Sequence, residues 1–285
     1  MKIRFWGTRG SIPCAGPDTV KYGGNTTCIE VRPNGRQIII IDAGTGIRPL
    51  GGRLLEELAE TPGKDPCIVH LLFTHFHWDH IQGFPFFRPV FSDRFVFKVY
   101  GHADKSVGVR QTLADQIRAP YLPFLFEHLR AKFEFKEIGR ESFSIGDVEI
   151  STIPTNHPNG AIGYRIAEAK KTFVFLTDNE LYMQKEITPY GEFVDFCDGA
   201  SLLVHDAQWD EEEAKKYPTW GHSSYGQVVE LAGKSKVKAV GFTHHDPYHS
   251  DKWVDKMVRR TKSQAKRNKA KISCFAAREG LVHEL

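Results

Sequence analysis

Three imidazoles and one carboxylate fall within six residues in the segment His75-Phe76-His77-Trp78-Asp79-His80. Packing gives no reason to crowd so many donors and charges together. A divalent cation does, because imidazole and carboxylate suit zinc, iron and manganese. Along an extended strand end, His75 and His77 point to one side. After a turn into a helix start, Asp79 and His80 face a second position, so this one segment can serve two adjacent ions.

Other Asp and His residues close further apolar runs. Asp42 follows Ile38–Ile41, His75 follows Ile68–Phe73 and Asp178 follows Phe173–Leu176. His205 and Asp206 follow Ser201–Val204, and His244 follows Ala239–Phe242. One such residue alone would read as a turn. Several together predict one shared rim, built on loops that a rigid scaffold holds in place.

The scaffold is read from the same runs, with Cys28–Val31, Phe95–Tyr100 and Val148–Ile153 added. Each is of strand length and is bounded by Gly, Pro, Asn or Asp. The opening Met1–Gly7 is strand-like, and Gly163–Ile166 with Phe173–Leu176 reads as a hairpin. Ile47–Glu60 carries Leu50, Leu54, Leu55 and Leu58 at helical spacing. Ser106–Arg118, Tyr225–Gly233 and Asp251–Arg267 read as helices too. Strands first, then helices among strands, predict an α/β fold of two sheets with helices outside. The expected architecture is a four-layer αββα sandwich forming one domain over residues 1–285.

Composition narrows the function classes. The 285 residues are 41% apolar, and no 18-residue apolar run exists to cross a membrane. The first residues lack the apolar stretch of a signal peptide, which places the expected location in the cytoplasm. Five scattered cysteines without a Cys-x-x-Cys spacing argue against disulfides or a thiolate zinc knuckle. The net charge of +3 implies no partner. Between Lys252 and Lys271, however, nine Lys or Arg stand against Asp255. That stretch reads as the solvated face of a helix, with a phosphate-attracting patch as the alternative.

The chain resembles the metallo-β-lactamase-fold superfamily, whose signature is His-x-His-x-Asp-His, over nearly its whole length. Asp42, in Ile41-Asp42-Ala43-Gly44-Thr45-Gly46, matches the first motif of that family. His157, in Thr155-Asn156-His157-Pro158, matches the third, and Asp178, in Leu176-Thr177-Asp178-Asn179, the fourth. His244, in Phe242-Thr243-His244-His245-Asp246, matches the fifth. His245 is adjacent, but His244 directly follows the strand and a threonine, as in the family. The resemblance implies two divalent ions, zinc foremost and manganese or iron otherwise. One would take His75, His77 and His157, and the other Asp79, His80 and His244. Asp178 would bridge them, and Asp42 would orient a ligand from behind.

The opening Phe5-Trp6-Gly7-Thr8-Arg9-Gly10-Ser11-Ile12-Pro13 looks like the start of the ribonuclease Z group, which includes cyclic-nucleotide phosphodiesterases. Tyr22-Gly23-Gly24-Asn25-Thr26 fits the same group. Gly221-His222-Ser223-Ser224 resembles its His-Ser-Thr motif, and His205-Asp206-Ala207 its acidic partner motif, with Asp in place of Glu. The resemblance implies His222 as proton donor, Asp206 as its support, and Asp79 as a catalytic carboxylate besides a ligand. Asp178 stands where drug-hydrolysing relatives often carry cysteine, and Trp78 leaves no glutamate ligand of the flavo-diiron kind. Only 20 residues separate His157 from Asp178, too few for a tRNA-clamping arm.

The expectation is a dinuclear, homodimeric hydrolase of a small nucleotide or sugar phosphodiester. The alternatives are a thioester or other carboxylic ester, or RNA. Among lesser features, Arg9 is a candidate phosphate contact. Asp246 and His249 are solvated loop residues unless they reach the site. Phe84–Phe87 are core or a base-stacking wall, and Pro120–Phe126 a lid or dimer surface.

Overall fold

Four consecutive isoleucines, Ile38–Ile41, are all buried, which a strand allows only when both of its faces are covered. The computed structural model describes every residue except 35–36, 61–62, 64, 103–106 and 269. In chain order the strands are β1 (Lys2–Gly7), β2 (Cys28–Arg32), β3 (Ile38–Ile41), β4 (Cys67–Leu72), β5 (Phe95–Gly101), β6 (Lys132–Glu137) and β7 (Ser142–Ile145). They continue as β8 (Val148–Thr155), β9 (Ala161–Glu168), β10 (Lys171–Leu176), β11 (Leu202–Asp206), β12 (Ala239–Thr243), β13 (Ser273–Ala276) and β14 (Val282–Glu284). One sheet has the order β14-β1-β2-β3-β4-β5-β6, and the other β13-β12-β11-β10-β9-β8-β7.

Three apolar layers separate these elements. Between the sheets, Ile3, Phe5, Ile39 and Ile41 meet Ile150, Tyr164, Phe173 and Val204. On the outer face of the first sheet, Ile40, Val69 and Leu71 pack with Ile47, Leu50 and Leu54 of the helix Ile47–Glu60. On the outer face of the second, Val174, Leu203 and Val240 pack with Phe193, Val228 and Met257. The period of two along β3 explains the isoleucine run: Ile39 and Ile41 face the inner layer, and Ile38 and Ile40 the outer. The layering is helix, sheet, sheet, helix, as expected.

The helices Ile47–Glu60 and Asp251–Arg267 have the expected bounds. The helix expected over Ser106–Arg118 runs Gly108–Asp115, and Ser106 lies outside the described residues. The helix Tyr190–Cys197 and the strands β6, β7, β13 and β14 had no expectation.

Strand direction positions the site. β3 to β6 are mutually parallel, as are β10 to β13. β8 is antiparallel to β9 and β9 to β10, so β8 runs with β10. The C-terminal ends of β3, β4, β8, β10, β11 and β12 therefore share one edge of the sandwich. Two bonds tie the sheets together there: Ile162 N donates to Thr74 O at 3.0 Å, and Tyr164 Oη to Phe73 O at 2.6 Å. Just past β3, β10 and β12 the backbone turns left-handed at Asp42 (φ 61°), Asp178 (φ 53°) and His244 (φ 56°). Such conformations cost about 1–3 kcal/mol each and persist where the surroundings over-determine them.

Candidate metal centre

After β4 the chain stays extended through His77 (φ −63°, ψ 152°) and then enters the single helical turn Trp78–Ile81. That switch turns His75, Asp79 and His80 into the protein, where all three are buried, and leaves Trp78 70% exposed. His75, His77 and His157 form one group of converging ligand atoms, and Asp79, His80 and His244 another. In the first group, His157 Nε2 lies 3.0 Å from His77 Nδ1. In the second, Asp79 Oδ2 lies 3.0 Å from His244 Nε2 and 3.2 Å from His80 Nε2.

Asp178 joins the groups. Its Oδ1 is 3.3 Å from His244 Nε2, 3.8 Å from His157 Nε2 and 3.9 Å from His75 Nε2. Its Oδ2 is 3.3 Å from His80 Nε2. His75 Nε2 and His80 Nε2 are nevertheless buried without an aligned hydrogen bond. Buried polar atoms in native proteins are rarely left so. Lone pairs converging with two carboxylates are what divalent cations require, so the donor set fits the metal ions that the resemblance implies.

Charge balance agrees. Burial pushes His75 well below the ordinary imidazole range and His157 down to about 4, so both are neutral. Burial alone would raise Asp79 and Asp178, but His80 and His244 hold both well below the usual carboxylate range. The same carboxylates overcome burial to raise His80 well above its usual range and His244 to about 9. In the bare protein, protons on His80 and His244 thus supply the positive charge that the carboxylates demand.

A ring of outer contacts fixes which nitrogen faces inward. Asp42 Oδ2 lies 2.8 Å from His80 Nδ1, while Asp42 also accepts from Thr74 N and Thr74 Oγ1, each at 2.8 Å. Gly221 O lies 3.2 Å from His157 Nδ1. Gln208 Oε1 lies 3.2 Å from His244 Nδ1, and its amide donates to Asp246 Oδ2 at 3.0 Å. Each acceptor calls for a proton on Nδ1 and turns Nε2 toward the cluster. The N-terminal segment closes the second group. Ser11 N donates to Asp79 Oδ2 at 2.8 Å, and a Cβ on Gly10 would lie 2.3 Å from the His244 ring.

Gln208, Gly10 and Ser11 were not among the expected site residues. The signal for Gln208 was its place two residues beyond β11, next to His205-Asp206-Ala207. Of the adjacent pair, His244 lies in the cluster. His245 turns away to donate from Nε2 to Ala277 O at 2.9 Å.

His222 flanks both groups, its ring 4.9 Å from that of His244 and 5.4 Å from that of His157. Its Nδ1 is 3.4 Å from Asp206 Oδ2 and 3.9 Å from Asp178 Oδ1, aligned with neither. Asp206 is committed first to the loops, accepting from Asn179 N at 3.0 Å and Ser223 N at 3.1 Å. Burial would raise it, but the neighbouring imidazoles of His205 and His222 bring it down to about 2.

Two lesser expectations change. Arg9 is not a phosphate contact: it is fully buried and donates to the carbonyls of Gly23, Asp246 and His249 at 2.8–2.9 Å. These bonds lock the N-terminal segment to the loop after β12, where a carbonyl cage, with Asp251 Oδ1 3.8 Å away, takes the guanidinium. Asp246 acts through Gln208, while His249 stacks on Trp253 and bonds Glu213 at 2.9 Å. Of the phenylalanines, Phe84 and Phe87 are core, and Phe86 is exposed.

Residues 37–245 match the β-lactamase superfamily domain. The chain belongs to this superfamily. It is a metallo-β-lactamase-fold hydrolase, a fold that implies divalent metal ions, and it has histidine and aspartate clusters that could hold them. The superfamily relatives include ribonuclease Z of Natronomonas pharaonis, 22% identical over 289 residues, covering 86% of each chain. Among solved structures of the fold, unliganded yeast PDE1 matches with a TM-score of 0.71 at 13% identity, covering 100% of this chain and 99% of that one. A diphosphatase from the PhnP family matches at 0.66 and 18% identity, covering 100% and 97%. Among the described residues, no helix of this superfamily member is long and apolar enough to cross a membrane.

Proposed function

We propose that this hydrolase is a dinuclear phosphodiesterase acting on a small nucleotide or sugar phosphodiester. His75, His77 and His157 would hold one divalent ion and Asp79, His80 and His244 the other, with Asp178 between them and zinc the first candidate. Bound there, the ions would supply Lewis acidity and lower the pKa of water enough for attack at neutral pH.

The chain's own residues do the rest. Asp42, Gln208 and the Gly221 carbonyl hold three imidazoles with Nε2 turned to the cluster, where the second proton that His80 and His244 carry in the bare protein would give way to the ions. Asp79, fixed by Ser11 N, and Asp178 present ionised oxygens to the same space. His222 has Nδ1 on the side of Asp206 and Asp178, which leaves Nε2 to give a proton to the departing oxygen. Asp206 Oδ2, 3.4 Å from Nδ1, would orient the ring. General-acid help of this kind is worth about 10²- to 10⁴-fold.

The observation that carries the reading is His222 beside the carboxylate shared by both ligand groups, 3.9 Å from Asp178 Oδ1. An alkoxide leaving group needs such a donor. A thiolate does not, since a thiol ionises near pH 8.5, and this favours phosphodiesters over thioesters. The names of the matched proteins, ribonuclease Z and yeast PDE1, point to phosphorus chemistry as well. Between His157 and Asp178 the chain forms only the hairpin β9–β10, which favours a small substrate over a clamped tRNA.

The test is a substrate panel on metal-replete protein: a diaryl phosphate, cyclic nucleotides, a thioester and a precursor tRNA. Turnover of the phosphodiesters is expected. Turnover of the thioester alone would overturn the reading.

A further inference from the structure

We propose that a groove leading away from His75 and His77 binds the flat, uncharged ring of the substrate, a nucleobase or aryl group. This rests on the phosphodiesterase reading and names the substrate class it would take.

Two hollows make the groove. The inner one, about 310 Å³, is bounded by His75, His77 and Asn159. The outer one, about 470 Å³, is bounded by Trp78, Phe86 and Tyr121. Phe76, Thr112 and Asp115 wall both, so the hollow beside His75 and His77 adjoins the aromatic trough. The outer volume lies within the range of small-molecule sites, about 300–1,000 Å³.

The rings face solvent for a structural reason. His77, Asp79 and His80 turn toward the cluster, and that forces Trp78 outward. Phe84 and Phe87, buried on either side of the pair Pro85-Phe86, anchor the second wall and hold Phe86 out. Trp78, Phe86 and Tyr121 are 70%, 57% and 65% exposed. Large rings left in water beside a reactive centre mark a surface that is covered in use.

Charge selects the occupant. Among the described residues the outer trough has no cation on its walls, and its carboxylate is that of Asp115. A second phosphate would be repelled there. A neutral ring gains by stacking, while the phosphate stays among the ligand atoms.

The experiment compares binding of a nucleoside monophosphate and of methyl phosphate to the metal-replete protein by titration calorimetry. The wild type and the double variant Phe86→Ala, Tyr121→Ala are measured, with metal content checked in both. Base stacking of this kind is worth about 5- to 100-fold in affinity. The wild type should bind the nucleotide at least about fivefold more tightly, and the double variant should lose that advantage while methyl phosphate binds unchanged. The proposal is overturned if the wild type shows no such advantage, or if the variant keeps it. A wild-type dimer that the double variant breaks, with the advantage retained, would assign these rings to a second copy of the chain instead. Because binding is read without turnover, failure of the phosphodiesterase reading shows separately, as the absence of phosphodiester hydrolysis.

Discussion

Gln208 Oε1 lies 3.2 Å from His244 Nδ1, and the other end of the same amide is held by Asp246 at 3.0 Å. The carboxylate of Asp246 thereby dictates which way the amide points, and the amide dictates which nitrogen of His244 is turned to the ions. Gln208→Leu should therefore weaken one of the two ions and spare the other. Outer contacts of this type are worth about 10- to 100-fold in metal affinity. Metal content per chain after graded chelation reads this directly. Equal loss of both ions, or of neither, would remove Gln208 from the site. Gln208→Glu combined with Asp246→Asn reverses the lower hydrogen bond and should restore the affinity.

His222 belongs to neither of the two ligand groups assigned to the ions. His222→Ala should keep the full metal content and lose about 10²- to 10⁴-fold in turnover of substrates with poor oxygen leaving groups. Substrates with activated aryl leaving groups should suffer much less. A uniform loss across leaving groups would speak against proton donation.

Gly10 touches the His244 ring so closely that any Cβ there would have to displace it. Gly10→Ala should lower metal content and activity together. Activity equal to wild type, with two ions retained, would show that the N-terminal segment does not shape the site.

His245 provides a pH signature independent of turnover. Burial lowers it to about 3, against about 6.5 in an unfolded chain. Between those values the unfolded state binds a proton that the fold refuses, so stability is full above pH 6.5 and falls as the pH drops toward 3. The slope from one such group is about 1.4 kcal/mol per pH unit. Metal-free wild type and His245→Gln, unfolded by denaturant from pH 7 to 4, should differ by this slope. Parallel curves would contradict it.

The layers and the edge that carries the site were legible in the sequence because burial leaves a pattern. Ile38–Ile41 can only be a strand covered on both faces, and His75–His80 has no structural explanation without a cation. Edge strands leave a weaker trace. β6 alternates Phe133 and Phe135 with lysine and glutamate, and those charges suit an edge while masking the strand. The helix Tyr190–Cys197 has eight residues, too short for a periodic stripe. Arg9 and Gln208 were hidden for another reason. Their partners are the backbone carbonyls of Gly23, Asp246 and His249 in one case, and the side chains of His244 and Asp246, more than 30 residues away, in the other. Chain pattern records neither a carbonyl cage nor a distant tautomer.

The central claim is that two ligand groups share Asp178. Element analysis of the protein after dialysis against zinc and removal of free metal tests it most directly. Two ions per chain are expected in the wild type, with a marked loss in Asp178→Ala. One ion per chain in the wild type, or two retained without Asp178, would contradict it.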